Sequence, residues 1–88
     1  MQYDWDETKR LWTLAHRSID FESVERFIWE SANIVPDDRN EYGEARFVAT
    51  GFIDNRLHVM AFTMRSDVVR IISLRKANER ERKAYEKK

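Results

Sequence analysis

The sequence has no cysteine and, among its 88 residues, only two glycines, one proline and two histidines. Without cysteine the chain has no disulfide, no thiolate metal site and no cysteine nucleophile. Gly43 and Gly51 do not open a phosphate-binding loop ahead of a helix, so nucleotide-dependent catalysis has little support. His16 and His58 stand far apart in sequence, and a metal held by them would need additional carboxylate ligands. We therefore expect neither a metal nor another cofactor.

Long apolar runs are missing as well. No window approaches the roughly 18 uncharged apolar residues of a membrane-spanning helix. The stretch from Met1 to Lys9 lacks the basic and then apolar layout of a secretory signal, so we expect a cytoplasmic protein without membrane contact. A chain of 88 residues, 42% hydrophobic and 36% charged, is long enough for one core. We predict a single domain over residues 1–88.

The net charge is zero, but the two parts of the chain differ in sign. Residues 1–64 carry 7 basic and 12 acidic side chains, whereas residues 65–88 carry 9 basic and 4 acidic ones. A local positive charge attracts phosphates even in a neutral molecule, because salt screens charges beyond about 10 Å. The C-terminal part is thus the expected anion-binding region. The alternative is a solvated helix on which Glu79, Glu81 and Glu86 pair with their basic neighbours.

Hydrophobic periodicity predicts an α+β fold with the order β-α-α-β-β-β-β-α. The predicted strands cover residues 1–5, 32–35, 44–53, 56–64 and 68–74. A polar loop over residues 36–43 and a tight turn at Asp54-Asn55 separate three of them. Because short turns join the last four strands, we predict an antiparallel four-stranded sheet with a possible short N-terminal strand. We expect two N-terminal helices and a C-terminal helix to pack on one face of this sheet.

Side chains that cap helices mark three helix starts: Asp4 or Asp6, Asp20, and Asn78 with Glu81. The helical spacing of Lys9, Leu11, Leu14 and Ala15 predicts the first helix, which should end near Arg17, and the second should end near Glu30. In the second helix Phe21, Val24, Phe27 and Ile28 recur at three- and four-residue intervals and form a stripe typical of a core-facing helix.

Four basic side chains lie on or at the ends of the last two predicted strands: Arg65, Arg70, Arg75 and Lys76. A sheet can direct such side chains to one place. Arg70 stands in an otherwise apolar strand, where a guanidinium needs an acidic partner or an anionic ligand. Two interpretations follow for Arg70, an ion pair with Glu44 or a contact with phosphate.

Cleavage of RNA is a reaction that a cationic site can promote. The 2′-hydroxyl is an internal nucleophile, so the reaction needs positioning, charge stabilisation and proton transfer, but not necessarily a metal. Glu44 and His16 are the candidate proton acceptors, whereas His58, inside a predicted strand, is expected in the core or on the sheet. Ser73 has no triad partners, and we expect its hydroxyl to be satisfied within the sheet.

Several segments, taken in order, resemble the BrnT toxins. They are Tyr3-Asp4-Trp5-Asp6-Glu7, Ile19-Asp20-Phe21-Glu22, Tyr42-Gly43-Glu44-Ala45-Arg46 and Arg70-Ile71-Ile72-Ser73-Leu74-Arg75-Lys76-Ala77-Asn78. The resemblance spans nearly the whole chain. It implies a type II toxin with a RelE-like fold that inhibits translation by cutting RNA. It also implies neutralisation by a BrnA-like antitoxin that binds operator DNA, so that this chain would reach DNA only indirectly.

The resemblance also assigns roles to residues. The positions that match the family pattern are Arg65, Arg70, Arg75, Glu44 and Arg46. We predict that Arg70 and Arg75 hold the phosphate, that Arg65 or Lys76 steadies the developing charge, and that Glu44 or His16 moves protons. Arg17, Arg46 and Lys76 are the further predicted contacts with RNA.

One segment, Thr13-Leu14-Ala15-His16-Arg17-Ser18, departs from the family pattern, which usually reads Asn-x-x-Lys-His-Gly. The usual histidine position is Arg17 here. His16 would substitute from the adjacent position, or else Arg17 packs the helix end as the family histidine would. The departure motivates an alternative function, a catalytically weakened homologue that serves as a non-catalytic antitoxin- or nucleic-acid-binding module.

Overall fold

Eight elements form the fold that the computed structural model describes over residues 1–39 and 41–87. In chain order they are β1 (Gln2–Trp5), α1 (Glu7–Arg17), a 3₁₀ helix (Phe21–Arg26), β2 (Asn33–Pro36), β3 (Arg46–Ile53), β4 (Arg56–Arg65), β5 (Val68–Lys76) and α2 (Glu79–Glu86). The order is the predicted one, and every strand begins and ends within two residues of its prediction. Asn40, in the predicted loop 36–43, and Lys88, at the end of the predicted domain, lie outside the described residues.

The five strands form one mixed sheet in the order β1-β5-β4-β3-β2. Strands β2 to β5 are antiparallel as predicted, and the possible N-terminal strand is present as β1. The sheet thus has five strands, not four, and because β1 lies parallel to β5 the prediction of a wholly antiparallel sheet is wrong. Short turns determine the direction of strands that follow each other in sequence. They do not determine the direction of β1, which pairs with β5 although the two strands are far apart in sequence.

Both faces of the sheet are covered, not one. On the first, the core face, Phe21 and Val24 of the 3₁₀ helix pack with buried Met60 and Leu74. On the opposite face, the cleft face, Tyr85 of α2 covers a smaller cluster. The prediction of helices on a single face is therefore wrong. Strand β3 is apolar on both sides, and each side needs its own cover.

The second predicted helix is a single 3₁₀ segment that ends at Arg26 instead of near Glu30. Asp20 caps it as predicted, with its side chain accepting a hydrogen bond from Glu22 N. After Arg26 the backbone is extended, and Ile28 N donates to Phe52 O at 3.0 Å. This turn of the chain lays the Phe27 ring against Gly51, where a Cβ atom would lie 2.6 Å from Phe27 Cζ.

Gly51→Ala is expected to lower the free energy of unfolding by about 1–3 kcal/mol, because the added methyl group overpacks a closely filled core. Urea-induced unfolding measures the change. In a Phe27→Leu background the same substitution should cost clearly less, because the opposing ring is gone. An equal cost in both backgrounds would contradict the explanation.

Helix α1 begins after Asp6, which caps it with its carboxylate. The spacing of Leu11 and Leu14 predicted the helix, yet these side chains are 54% and 40% exposed, and the buried residue of α1 is Thr13. Helix α1 lies beside β5 and the 3₁₀ helix. The periodicity thus identified the helix but not the face that packs.

A β-bulge in β5 decides which way its side chains point. Ser73 pairs with Ala61 and Ile71 pairs with Phe62, which leaves Ile72 as an extra residue. In a regular strand, residues an odd number apart lie on opposite faces. Because of the bulge, Arg70 shares the cleft face with Ser73 and Arg75.

Candidate functional site

A cleft of about 330 Å³ lies on the cleft face, between the middle of the sheet, the loop before β3 and the start of α2. Its lining residues are Val48, Thr50, Val59, Ala61, Ser73, Arg75, Glu81 and Arg39. Small and apolar side chains from three strands make the floor, and the charged side chains stand around it. We call it the sheet cleft.

Arg75 is held in the sheet cleft by a bidentate ion pair. Its Nη1 and Nη2 donate to Glu81 Oε1 and Oε2, each at 2.8 Å. Glu81 Oε1 also accepts from Asn78 N at 2.9 Å, and Asn78 Oδ1 accepts from Glu81 N at 2.8 Å, which is the predicted capping box of α2. Hydrogen bonds from Arg75 lower the pKa of Glu81 to about 2. One carboxylate therefore starts α2 and orients Arg75.

Glu81→Gln is expected to lower the free energy of unfolding at neutral pH by about 1 kcal/mol, since the pair is partly exposed. A carboxyl group whose pKa is lower in the folded state stabilises the fold above its unfolded pKa, and this contribution disappears as the pH falls. For Glu81 the window extends from the ordinary value of 4.5 down to about 2. Across that window the free energy of unfolding should fall less steeply with decreasing pH in the variant than in the unsubstituted chain. An unchanged slope would contradict the assignment.

Arg39 was not selected from the sequence, although it lines the sheet cleft. Its Nε donates to Asp37 Oδ1 at 2.9 Å and its Nη2 donates to Asp37 Oδ2 at 3.0 Å. The Asp37 carboxylate also accepts from the Tyr42 hydroxyl at 3.3 Å, and the bonds from Arg39 lower its pKa to about 2. The available signal was an Asp-x-Arg pair directly after Pro36 at the end of a strand.

A narrower groove of about 200 Å³ runs between α1 and β5. Its lining residues are Lys9, Trp12, Thr13, Arg17, Ile72 and Ser73. Ser73 lines the sheet cleft too, so the two depressions adjoin. Among residues 1–39 and 41–87 the Ser73 hydroxyl has no hydrogen-bond partner, so our prediction that it is satisfied within the sheet is wrong. The hydroxyl is therefore available to a ligand.

Arg17 links the C-terminal end of α1 to strand β5. Its Nη1 donates to Leu74 O at 3.1 Å, and its guanidinium carbon lies 5.4 Å from the centroid of the Trp12 ring. The side chain thus packs the helix end, which was one of our two interpretations, and also adds positive charge to the groove. Its contact with RNA stays a prediction.

Arg70 lies on the cleft face but pairs with Asp4, not with Glu44 as one interpretation had it. The reason is the register of β1, which sets Asp4 beside Arg70. Arg75 is directed toward α2 instead. The two guanidiniums are therefore held by different partners, on positions about 13 Å apart along the strand.

Glu44 belongs to a separate charged cluster at the start of β3. It accepts from Arg46 Nε at 3.4 Å and lies 3.7 Å from Arg65 Nη2. The Arg46 guanidinium carbon lies 3.9 Å from the centroid of the Tyr42 ring. These side chains stabilise the loop that contains Arg39. None of Glu44, Arg46 and Arg65 lines the sheet cleft.

Two further predicted site residues lie away from the sheet cleft. His16 is exposed on α1, stacked on Trp12 with 4.3 Å between ring centroids, and its Nδ1 donates to Trp12 O at 2.8 Å. Lys76 follows Arg75 on β5 and therefore lies on the core face, so the expectation that a single place collects the late basic residues is wrong. His58 is buried within β4, as predicted.

The charges of α2 are not neutralised as the alternative interpretation expected. Glu81 pairs with Arg75 of β5 rather than with a basic residue of the tail. In the part of the chain that the structure describes, neither Glu79 nor Glu86 forms an ion pair. The outer side of α2 thus keeps Arg80, Lys83 and their positive charge.

Within the described residues, no three histidine, aspartate or glutamate side chains gather as a candidate metal site. No helix in residues 1–39 and 41–87 has the length and apolar character needed to cross a membrane.

Comparison with known proteins bears on the origin of this site. A search of curated proteins gave no match. The family model described as "Ribonuclease toxin, BrnT, of type II toxin-antitoxin system" matches residues 5–81. That range contains α1, strands β2 to β5 and both Arg75 and Glu81 of the sheet cleft. The resemblance seen in the sequence is confirmed, and the chain belongs to the BrnT family of ribonuclease toxins of type II toxin-antitoxin systems.

Proposed function

We propose that this chain is a metal-independent endoribonuclease with a RelE-like fold that inhibits translation by cutting RNA in the sheet cleft. The observation that carries the proposal is the meeting of Arg75, Arg39 and the Ser73 hydroxyl over an apolar floor. The cleft adjoins the groove that holds Lys9 and Arg17. A row of cations across a sheet favours the phosphate backbone of a single strand.

Arg75 is the proposed partner of the scissile phosphate. In the reaction the 2′-oxygen bonds to phosphorus, the bond to the 5′-oxygen breaks, and negative charge grows on the non-bridging oxygens. Glu81 occupies Nη1 and Nη2 of Arg75, while Nε has no hydrogen-bond partner among the described residues. Nε–H can therefore donate to the phosphate from a guanidinium whose position is already set. Arg70 contacts another phosphate farther along the strand in this arrangement.

Proton transfer is proposed for Glu44 or His16, the two candidate proton acceptors that the sequence offered. Neither side chain lines the sheet cleft, so the choice depends on separate substitutions. Loss of a general base lowers a cleavage rate by about a hundredfold or more. We expect this loss in either Glu44→Gln or His16→Gln. Full activity in both variants would remove the two residues from the mechanism.

The partner implied by the family is a protein antitoxin. We propose that a BrnA-like antitoxin neutralises the chain in the cytoplasm and binds operator DNA. The chain would then influence transcription only through that complex.

The direct test is incubation of the purified chain with RNA in EDTA. The expected result is a set of discrete fragments that carry a 2′,3′-cyclic phosphate, formed at the same rate with and without the chelator. Inhibition by EDTA that added Mg²⁺ reverses would overturn metal independence.

One observation favours a second candidate, a non-catalytic binding module. The titratable groups that line the sheet cleft among the described residues are Arg39, Arg75 and Glu81, and each has its charged partner. Such a module would bind RNA with strong salt dependence and leave it intact. Growth arrest on induction, together with RNA fragments in the purified reaction, supports the ribonuclease. Binding without either result supports the module.

A further inference from the structure

A separate cavity of about 310 Å³ opens on the core side of the sheet, next to the turn between β3 and β4. Its lining residues are Ser18, Ile19, Asp20, Ser23, Arg26, Ile53, Asp54, Arg56, His58 and Lys76. We call it the hairpin cavity. It shares no lining residue with the sheet cleft.

The side chains that line the hairpin cavity include three cations, Arg26, Arg56 and Lys76, and two carboxylates, Asp20 and Asp54. Arg26 Nε and Nη2 donate to Asp54, with the shortest contact 2.7 Å, and Arg10 Nε donates to Asp20 Oδ1 at 2.8 Å. Both acidic groups of the cavity are thereby engaged. Within residues 1–39 and 41–87, Arg56 and Lys76 form no ion pair. Two cations therefore face the cavity without a compensating anion.

Two further polar groups lie in the same wall. The Ser23 hydroxyl is buried and has no hydrogen-bond partner in the part of the chain that the structure describes. A buried hydroxyl without a partner costs free energy, so a ligand oxygen that bonds to it is favoured. His58 lies two residues after Arg56 on β4 and directly across from Lys76 on β5. Its Nδ1 donates to Arg56 O at 2.7 Å.

We propose that the hairpin cavity binds a phosphate group, held by Arg56 and Lys76 and by the Ser23 hydroxyl. The chemistry is shared by inorganic phosphate, by a nucleotide and by the backbone of an RNA that extends past the end of β5. The site lies outside the proposed cleavage site and does not rest on ribonuclease activity.

A structural role does not account for the two cations. Arg56 and Lys76 are exposed, and neither bonds to an acidic group in the described residues. A phosphate needs cations that are not already paired, and these are the two that the cavity offers.

The pKa of His58 reports whether a phosphate occupies the hairpin cavity. Burial lowers its pKa, and the charges of Lys76 and Arg56 lower it further, while Asp54 raises it. Arg26 and Asp20 complete the charged groups of the cavity; Arg26 pairs with Asp54, and Asp20 shares Arg10 with Glu7 and Glu22. A bound phosphate brings negative charge to this side of the ring and thus favours the imidazolium.

The experiment follows the imidazole signals of the full chain by NMR during titration with inorganic phosphate, AMP and a 2′-O-methyl RNA. This RNA lacks the internal nucleophile and stays intact, so binding is separated from cleavage. The chain has only two histidines, so the signal of His58 is read separately from that of His16 on α1. We expect at least one ligand to raise the pKa of His58 by about 1 unit.

Matched variants locate the site. Arg56→Gln combined with Lys76→Gln is expected to weaken the phosphate-dependent change at His58 by about tenfold or more. Because both side chains are exposed, the variant should fold. Arg82→Gln on α2 removes one exposed charge that lines neither the hairpin cavity nor the sheet cleft, and it should leave the change intact.

Each outcome decides the proposal. A response to inorganic phosphate or AMP assigns the site to a small phosphate, and a response to RNA alone assigns it to the backbone. No change at His58 with any of the three ligands would overturn the proposal, as would an equal change in the double variant and in Arg82→Gln.

Discussion

Arg75→Ala is expected to lower the rate of RNA cleavage by about 10²- to 10³-fold, the effect of removing one donor that stabilises charge in the transition state. Arg75 is the central cation of the sheet cleft, and its guanidinium is oriented in advance by Glu81. The loss should appear in kcat more than in KM, because the bond to the phosphate strengthens as charge develops. Single-turnover cleavage of a labelled RNA measures it.

Two matched variants sharpen this test. Arg75→Lys keeps the charge but loses the bidentate geometry, so an intermediate rate is expected. Arg82→Ala removes an exposed arginine of α2 that lines neither the cleft nor the hairpin cavity, and it should leave the rate unchanged. Circular dichroism and thermal unfolding establish that the variants are folded. If folded Arg75→Ala cuts RNA at the normal rate, the sheet cleft is not the active site.

Leu74→Ala is expected to lower the free energy of unfolding by about 2–5 kcal/mol, because the site is fully buried and a cavity remains. Leu74 lies on the core face of β5, between Ser73 and Arg75, which lie on the other face. The free energy of unfolding of a small domain is roughly 5–15 kcal/mol, so the variant should be only marginally stable. Urea-induced unfolding gives the value.

Met64→Ala is the control for Leu74→Ala. Met64 lies on the neighbouring strand with 46% of its surface exposed, and its truncation should cost less than about 1 kcal/mol. Cleavage by Leu74→Ala should fall only in proportion to its unfolded fraction, since the cleft side chains are unchanged. Equal costs for the two substitutions would show that β5 is not held by its core side chains.

Local patterns were sufficient for the elements and for part of the core. Of the four residues in the predicted stripe, Phe21, Val24 and Phe27 are buried but Ile28 is 46% exposed, and the helix that they suggested is a short 3₁₀ segment. Asn78 and Glu81 predicted the cap of α2, because a capping box depends on neighbours only three residues apart. The family resemblance also needed nothing beyond the order and spacing of its segments.

The candidate site was predictable only in part. The importance of Arg75 was expected, but its partner Glu81 was assigned to a solvated helix. Arg39 belongs to a polar loop, and no local pattern places that loop over β5. Glu44 was the expected acidic partner of Arg70, whereas the parallel pairing of β1 with β5 places Asp4 beside Arg70.

The sequence by itself determined the order of the elements, the caps, the strand bounds to within two residues and membership of the BrnT family. These depend on spacing along the chain. The tertiary structure alone decided the mixed sheet and the bulge at Ile72, which puts Arg70 on the face of Arg75 and leaves Lys76 on the other. Those outcomes depend on pairing between distant strands, whose register is set by packing of both sheet faces and not by any local pattern.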